Sequence, residues 1–489
     1  MPTDAISVGP ALAAGPSRDP RDNRDGPSAS GGPTAAIAEM NRRNFLGTLA
    51  GGVALGATVP ALRAAATAVR PRILLREALQ YENIGDVGRV PGTIRLLYRY
   101  LPGAEVMLWP WSLHEREREM LGKAFPQLRI VEGEVDASGR ASTPALAEAW
   151  TQAGVFLSPT KNARSYTEWA ATGRPFGLFG ASFDPITDRR TRPQGLTLRE
   201  LRAEIERLPR GAFEKKFGPR AFYEKAAFIY ARDTLGLRFL QREELKPGVL
   251  EFGPEGCFAL DLRDEARAAD WRKRHGLADD DYLCVVPRLR YTPYYQVKNL
   301  PRSAADYEID ALNAASASSD HAALREVIVR WVRQTGARVV ACPEMTYQIA
   351  TAKEQLIDPL PDDVKKRVVW RDTFWLPDEA AALYAKARAV ISAECHSPII
   401  ALAAGTPILH VRNPVDGTKG QMFADIGLGD WLFESTEATA DQLWTTLRAI
   451  HDDLPRARAR VRESMVRVAT LQEGMVRAVG RALAKGLSP

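Results

Sequence analysis

The chain repeats one pattern along most of its length: a short apolar run, a turn, and then a segment with the three-and-four spacing of an amphipathic helix. The runs RILL at 72–75, AEVMLW at 104–109 and GVFLS at 154–158 are examples. Short apolar runs of this kind are typical of strands buried on both faces of a parallel sheet. The alternation therefore predicts an α/β fold of βαβ units, with a mostly parallel sheet covered by helices on both faces.

This alternation occurs in two series. The first starts near residue 72, is interrupted by a basic and polar segment at 187–225, and resumes with AAFIYARDTLGLRFL. The second opens near residue 281 with YLCVVPRLR and ends in packing helices at 438–487. Two doubly wound, Rossmann-like domains are predicted, at 69–250 and 251–489. Ligands of such sheets bind at the carboxyl ends of the strands, so the cleft between the domains is the expected site.

Within the second series, the stretch AVISAECHSPIIALAAGTPILHV at 389–411 joins a strand to a helix and then to another strand. His396 stands at the first joint, Ser397 is a suitable N-cap, and the helix is expected over 399–404. Unpaired N–H groups and the helix dipole make such a joint a natural seat for a phosphate or a carboxylate. His396 could contact an anion there, or it could only cap the helix, and both interpretations stay open.

A second joint, ENIGDVGRVPGT at 82–93, follows the first strand and is expected to open a helix at about Thr93. Gly85 and Gly88 would allow positive φ and a close approach of the backbone to a ligand. Asn83 and Asp86 would supply short polar side chains at the end of the strand. A plain Asx turn before a helix would account for the same residues equally well.

Taken together, the two joints resemble the polysaccharide pyruvyl transferase family. The N-x-G-D turn, the H-S-x-I-x-A-L-x-x-G-T-P segment that starts at His396, and Lys419 before D-I-G-L at 425–428 carry the resemblance. Weaker similarities are RPFGLFGASFDP at 174–185, the Arg232-Asp233 pair, and Arg288 at the end of a strand. The resemblance covers about residues 72–435.

The resemblance implies two Rossmann-like domains in a glycosyltransferase-B-like arrangement with a cleft between them. It also implies transfer of a pyruvyl group from phosphoenolpyruvate to two hydroxyls of a sugar, as a ketal, without a cofactor. His396 would contact the phosphate or donate a proton, and Asp86 would accept a proton from the acceptor. The other residues implied in substrate or donor binding are Asn83, Gly85, Arg288, Glu394, Ser397 and Lys419.

Glu394 departs from the family pattern, in which S-x-R-x-H places an arginine two residues before the histidine. A carboxylate turned into the pocket would repel a phosphate. Glu394 could instead pair with Arg288, raise the basicity of His396, or lie on the far face of the sheet. The alternative functions are therefore an exported, non-catalytic carbohydrate-binding protein, or a transferase that uses another donor.

The N-terminal region contains a different signal. Residues 1–39 are rich in Gly, Pro, Ser and Ala, which predicts a disordered leader that translation from a wrong start site would explain. Residues 40–68 contain the pair Arg42-Arg43, a moderately apolar stretch and small-residue cleavage sites, in the outline of a twin-arginine signal peptide. They predict passage through the twin-arginine translocase to the periplasm or beyond, and an envelope or extracellular polysaccharide as acceptor. An uncleaved membrane anchor is the alternative.

Composition narrows the choice of partners. The net charge of +6 is a mild excess, and no basic cluster with interleaved aromatic residues indicates nucleic-acid binding. The four cysteines, Cys257, Cys284, Cys342 and Cys395, lack the spacing of a zinc site, so no metal is predicted. Their spacing leaves three full disulfide pairings open in an oxidising compartment. The acceptor sugar, the oligomeric state and the true start codon also stay open.

Overall fold

The structure is a computed structural model that describes residues 70–77, 79–159 and 163–486. The leader and the twin-arginine signal proposed for residues 1–68 lie outside these ranges. None of the helices in the described part of the chain has the length and apolar character needed to cross a bilayer.

The first series of strands forms one parallel sheet. Its seven described strands lie in the order β3-β2-β1-β4-β5-β6-β7, so the order reverses between β1 and β4. This reversal is the topological switch point at which ligands of such sheets bind. The strands are β1 (Arg72–Glu77), β2 (Glu105–Pro110), β3 (Arg129–Ile130), β4 (Val155–Ser158), β5 (Phe176–Ala181), β6 (Phe228–Ala231) and β7 (Leu250–Phe252).

The second series forms another parallel sheet. Its six described strands lie in the order β10-β9-β8-β11-β12-β13, with the switch point between β8 and β11. The strands are β8 (Tyr282–Val286), β9 (Arg338–Ala341), β10 (Val368–Trp370), β11 (Ala389–Ser392), β12 (Ile408–Arg412) and β13 (Leu432–Glu434).

Helices connect the strands and cover both sheets. In the first series they are α1 (Ile84–Tyr100), α2 (Glu115–Ala124), α3 (Pro144–Gln152), α4 (Ala163–Ala170), α5 (Leu198–Arg207), α6 (Ala212–Phe217), α7 (Arg220–Glu224) and α8 (Thr234–Arg242). In the second they are α9 (Glu265–Arg274), α10 (Tyr294–Val297), α11 (Ala304–Asp320), α12 (Ala322–Thr335), α13 (Gln348–Thr351), α14 (Asp362–Lys365), α15 (Pro377–Tyr384), α16 (His396–Ala403), α17 (Gln421–Asp425), α18 (Ala440–Asp452) and α19 (Leu454–Gly486).

The first sheet is buried on both faces, as the apolar runs predict. Leu74 belongs to the core on one face, while its neighbours Ile73 and Leu75 belong to the core on the other. Two Rossmann-like sheets that face one cleft form the glycosyltransferase-B-like arrangement, and this prediction of the fold is confirmed.

The long C-terminal helix α19 packs against both sheets. Val461 and Val468 pack in the core of the second sheet, whereas Met475 and Val479 pack with Ile73 in a core of the first. The domain boundaries at 250 and 251 remain a prediction, and the second half of α19 lies on the side of the first sheet.

Two predicted helix starts are wrong. Helix α1 begins at Ile84 instead of Thr93, because Asn83 acts as its N-cap and its Oδ1 accepts the N–H of Gly85 at 2.8 Å. Helix α16 begins at His396, so Ser397 lies inside the first turn and is not the N-cap.

The expected positive φ at Gly85 and Gly88 is also wrong, because both residues are part of helix α1. The glycines of α1 serve close packing instead. A Cβ at Gly92 would lie 2.0 Å from the carbonyl oxygen of Gly256, which belongs to the 3₁₀ turn Gly256–Ala259. Helix α1 therefore contacts backbone directly, which larger side chains would prevent.

Candidate functional site

The two predicted joints meet in one cleft, because Asn83 and Asp86 of the first joint and His396 of the second line it. The first joint also contacts the loop after β9: the N–H of Ile84 donates to the carbonyl oxygen of Glu344 at 3.0 Å, and the N–H of Thr346 donates to that of Glu82 at 3.1 Å. The cleft has a volume of about 360 Å³. Six of the eight predicted site residues line it: Asn83, Asp86, Arg288, Glu394, His396 and Lys419. Gly85 and Ser397 lie directly behind them.

His396 lies between two buried carboxylates, neither of which the sequence analysis identified. Its Nε2 is 3.1 Å from Oε1 of Glu255, and its Nδ1 is 3.3 Å from Oε1 of Glu344. Burial alone would lower the pKa of His396, but Glu255 and then Glu344 raise this pKa to about 10. The ring is therefore an imidazolium at neutral pH, and each of its nitrogens faces a carboxylate.

Glu344 also occupies the N-terminus of α16. Its Oε2 accepts the N–H of Ser397 at 2.5 Å, and its Oε1 lies 3.4 Å from the N–H of His396. A helix N-terminus favours negative charge. The seat that the sequence predicts for a phosphate is thus filled by a carboxylate of the protein itself.

Gly85 supports the imidazolium from the first domain. A Cβ at this position would lie 2.2 Å from Cγ of His396, far closer than van der Waals contact allows. The ring cannot easily move, because carboxylates hold it on both edges. Gly85 is therefore a packing residue for His396.

We expect the substitution Gly85→Ala to destabilise the protein by about 1–3 kcal/mol, as overpacking of a close-packed core does. The matched control is Gly122→Ala in α2, where an added Cβ would meet nothing within 4 Å. This control should stabilise the helix by about 0.5–1 kcal/mol. Urea unfolding measures both changes, and two effects of the same sign would contradict the packing role of Gly85.

Arg288 is held by two carboxylates. Its Nη1 is 2.7 Å from Oε2 of Glu394 and 2.6 Å from Oδ1 of Asp416. Burial opposes the charge, but Asp416 and then Glu394 raise the pKa of Arg288 above its ordinary value. Of the alternatives for Glu394, the structure shows the ion pair with Arg288.

Glu394 is thus a partnered carboxyl in the wall of the cleft. Its Oε1 accepts the side-chain N–H of Gln348 at 2.7 Å. Burial raises the pKa of Glu394 to about 7, and the charge of Arg288 opposes this rise. This carboxyl group therefore holds a proton more readily than an exposed glutamate does.

Lys419 differs from the other cations that line the cleft. Arg89, Arg232, Arg288 and His396 each have a carboxylate partner. Among the residues that the structure describes, Lys419 forms no ion pair and donates no hydrogen bond to a side chain. It is the lining cation whose charge is available for an anionic ligand.

Asp86 is the half-buried carboxylate on the first-domain side of the cleft. Its side chain is 24% exposed and lies 3.6 Å from Nη1 of Arg89. The side-chain amide of Asn83 donates to its Oδ2 at 3.3 Å. Asn83 therefore both caps α1 and orients Asp86 towards the cleft.

Several carboxylates that line the cleft or contact its lining residues were not predicted, although they share one signal. Each follows the carboxyl end of a strand, where ligands of parallel sheets bind. Their identity could not be read from short motifs, because their partners come from distant parts of the chain. They are Glu255 after β7, Glu344 after β9 and Asp416 after β12.

The described residues contain no group of His, Cys, Asp and Glu side chains that could hold a metal ion. All four cysteines are buried and free. The segment YTPYY at 291–295 follows β8 and contains three tyrosines. Tyr294 lines the cleft, while the hydroxyls of Tyr291 and Tyr295 donate to Pro193 and Asp310.

Comparison with known families decides the relationship. The family model described as polysaccharide pyruvyl transferase matches residues 158–414, which is more than half of the chain. The chain belongs to this family. The matched range of this polysaccharide pyruvyl transferase family member includes Arg232, Arg288, Glu344, Glu394 and His396. No curated protein matches the chain.

Among solved structures, the chain is similar to the Anabaena protein HepE in complex with UDP, at 12% identity and a TM-score of 0.45, over 84% of this chain and 100% of that one. It is also similar to a glycosyltransferase described as a UGT transferase from Siraitia grosvenorii in complex with UDP, at 12% identity and a TM-score of 0.48, over 85% and 100%. E. coli ADP-heptose LPS heptosyltransferase II matches at 12% identity and a TM-score of 0.43, over 78% and 99%.

Proposed function

We propose that this family member transfers the pyruvyl group of phosphoenolpyruvate to two hydroxyls of a sugar in a glycan, forming a ketal. The observation that carries the proposal is Lys419, a cation without a carboxylate partner among the described residues, in a cleft that also holds the protonatable carboxyl group of Glu394. Binding of an anionic donor needs an unpaired cation, and protonation of its enol carbon needs a group that can donate a proton.

The donor is held by charge. The phosphate of phosphoenolpyruvate binds Lys419, since the other lining cations are already neutralised by carboxylates. Glu394 does not repel this donor, because Arg288 pairs with it at 2.7 Å and its pKa near 7 leaves part of it uncharged. Glu394, which stands where the family pattern has an arginine, is therefore compatible with a bound anion.

Glu394 acts as the general acid. It gives its proton to C3 of the donor, which becomes a methyl group, and C2 takes on positive character. The first sugar hydroxyl attacks C2 and loses its proton to Asp86. A general acid works best with a pKa near the working pH, and the pKa of Glu394 meets this condition.

The second hydroxyl completes the ketal. The C2–O bond to phosphate breaks, the second hydroxyl attacks C2, and its proton leaves with the phosphate. Asp86 returns the first proton to Glu394 through solvent. One donor and two hydroxyls thus yield one ketal and one phosphate, with no oxidant or reductant.

His396 acts as a positioning residue in this scheme. Its nitrogens lie 3.1 and 3.3 Å from the carboxylate oxygens of Glu255 and Glu344, and its charge serves these two carboxylates. Its charge neutralises Glu255 and Glu344 and joins the starts of α1 and α16. The positions of Glu394 and Asp86 in the cleft are thereby fixed.

We further propose, from the sequence of residues 40–68 alone, that the protein is exported by the twin-arginine pathway and acts on an envelope or extracellular polysaccharide. Cell fractionation of the full chain tests this location. The variant with Lys at both Arg42 and Arg43 should stay in the cytoplasm, and an unchanged distribution would contradict export by this pathway.

The donor assignment is tested by titrating the protein with phosphoenolpyruvate. We expect saturable binding by the wild type and binding about 10- to 100-fold weaker by Lys419→Met, the usual range for a hydrogen bond to a charged group. Isothermal titration calorimetry measures both dissociation constants.

Lys353→Met is the matched control for this titration. Lys353 is an exposed lysine that pairs with Asp358 at 2.7 Å and does not line the cleft. This variant should bind phosphoenolpyruvate as the wild type does. Equal affinity of the wild type and Lys419→Met would refute the role of Lys419, and absence of wild-type binding would refute the donor.

A further inference from the structure

A second cavity opens along the carboxyl edge of the first sheet. This edge pocket has a volume of about 500 Å³, and its lining includes Arg76, Glu134, Asp136, Arg140 and Ser142. Arg76 is near the end of β1, and Pro159, which follows the neighbouring strand β4, lines the cleft. Adjacent strands lie about 4.8 Å apart, so Arg76 and Pro159 mark the ends of two neighbouring strands on one edge of the sheet.

Arg76 is the unusual member of the edge pocket. It is 4% exposed, and its Nε and Nη1 have no hydrogen-bond partner among the described residues. Its one ion pair, from Nη2 to Oε2 of Glu134, is long at 3.5 Å, and the Glu134 side chain is 75% exposed. A buried guanidinium with so weak a counter-ion is costly, and a ligand with a closer acceptor for Nη2 would stabilise it.

The surroundings of Arg76 hold its side chain in place. The guanidinium carbon lies 3.6 Å from the ring centre of Trp109, whose Nε1 donates to the carbonyl oxygen of Gly133 at 2.8 Å. Burial lowers the pKa of Arg76 to about 10, which still leaves it charged at neutral pH. A fixed guanidinium that lines a cavity can donate a charge-assisted hydrogen bond to a carboxylate.

The carboxylates of the edge pocket do not take the place of such a ligand. Oδ1 of Asp136 accepts from the N–H groups of Ser138 and Arg140 and from the hydroxyl of Ser138, at 2.6 to 3.0 Å. It therefore stabilises its own turn. Glu134 reaches Arg76 only from solvent, and Arg140 adds a second positive charge to the lining.

An exposed aromatic side chain stands beside the edge pocket. Trp111 is 46% exposed, and its ring centre lies 5.7 Å from the Arg76 guanidinium carbon. The flat indole offers a surface for the C–H face of a sugar ring, while Arg76 offers donors for an acidic substituent. A uronate residue combines both features in one unit.

We propose that the edge pocket is an acceptor subsite that binds the carboxylate of an acidic sugar, in the same glycan chain whose neutral hydroxyls enter the cleft. Arg76 binds the carboxylate with Nη2, in place of the long contact with Glu134, and Trp111 packs on the ring. This inference rests on the proposed function for the glycan nature of the acceptor. It makes the substrate of this protein an acidic polysaccharide and not a neutral one.

The test uses binding alone and needs no donor. An oligogalacturonate and the same oligosaccharide after reduction of its carboxyl groups are titrated against the full chain. We expect the wild type to bind the acidic probe at least about tenfold more tightly, the effect of one charge-assisted hydrogen-bonded contact. The variant Arg76→Gln should bind the two probes equally.

Arg118→Gln is the matched control. Arg118 is a partly exposed arginine of α2 that pairs with Glu132 at 2.9 Å and does not line the edge pocket. It should keep the wild-type preference. Arg76→Lys, which keeps the charge but loses the planar donors, should lose most of the preference and provides the test if Arg76→Gln does not fold.

Three outcomes would overturn the subsite: equal wild-type binding of both probes, a preference that survives in folded Arg76→Gln and Arg76→Lys, or full competition by inorganic phosphate at the concentration of the probe. The variant Lys419→Met should keep the preference for the acidic probe. Failure of the donor assignment and failure of the subsite are thereby distinguished.

Discussion

The substitution His396→Ala should destabilise the protein by about 3–5 kcal/mol at neutral pH, the range seen when one partner of a buried ion pair is removed. The imidazolium lies 3.1 Å from Glu255 and 3.3 Å from Glu344, and both carboxylates are fully buried. Without the imidazolium, Glu255 keeps only its ion pair with Arg232. Glu344 then keeps only its hydrogen bonding at the N-terminus of α16. Urea unfolding of wild type and variant measures the difference.

This loss of stability should depend on pH in one direction. Glu255 and Glu344 raise the pKa of His396 to about 10, above the ordinary value of 6.5 that applies to the unfolded chain. The stabilisation is therefore complete below pH 6.5 and is lost as the pH rises through 10. The difference between wild type and His396→Ala should shrink steadily over this window.

His321→Ala is the control for the pH effect. His321 is also buried, but burial lowers its pKa below the ordinary value, so it is neutral throughout the window. The stability difference between this variant and the wild type should not change from pH 6.5 to 10. If the stability difference between His396→Ala and the wild type is also constant over this pH range, the assignment of His396 as an imidazolium is wrong.

The substitution Glu394→Gln should lower kcat for pyruvyl transfer by about 10²- to 10⁴-fold, the usual contribution of a general acid. Glutamine has nearly the same shape and can accept the hydrogen bond of Gln348, but it cannot give a proton to the enol carbon. Arg288 keeps Asp416 as a partner at 2.6 Å, so the fold should be retained. Steady-state kinetics with phosphoenolpyruvate measures the loss.

Glu117→Gln separates the effect of the general acid from a general effect of a buried carboxyl group. Burial also raises the pKa of Glu117 to about 7, but this residue of α2 does not line the cleft. Its substitution should leave kcat within a few-fold of the wild type.

In the wild type, kcat should fall as the pH rises above about 7 and Glu394 loses its proton. A tenth or more of wild-type kcat in Glu394→Gln would contradict the assignment.

The parts of the fold and site that the sequence predicts are those with local signals. Apolar runs such as RILL show where strands lie, and strand ends show where ligands bind. These two signals predict that His396, Asp86 and Lys419 lie in one cleft, and the structure places them there. The start of α1 was missed because Gly85, Gly88 and Pro91 are typical of a turn. The helix tolerates glycines because the missing side chain of Gly85 allows contact with His396 and that of Gly92 allows contact with the backbone of Gly256.

The environment of His396 could not be predicted, because it depends on residues far away in the chain. Glu255 lies in GPEGC and Glu344 in ACPEM, and either glutamate alone would be taken for a solvent-exposed loop residue. Only the packing of the two domains places them on the two sides of one ring. The pairing of β8 with β11 inside the second sheet brings Arg288 to Glu394, a contact that the sequence left as one of three alternatives.

The most direct test of the central claim is a turnover measurement with the wild type. Phosphoenolpyruvate is incubated with the protein and an oligogalacturonate or its carboxyl-reduced form, and phosphorus and proton NMR follow phosphate and the ketal methyl group. The proposed mechanism predicts one phosphate for each ketal, with release only when both substrates are present. Saturable binding of both substrates without any ketal would contradict catalysis and leave a carbohydrate-binding protein.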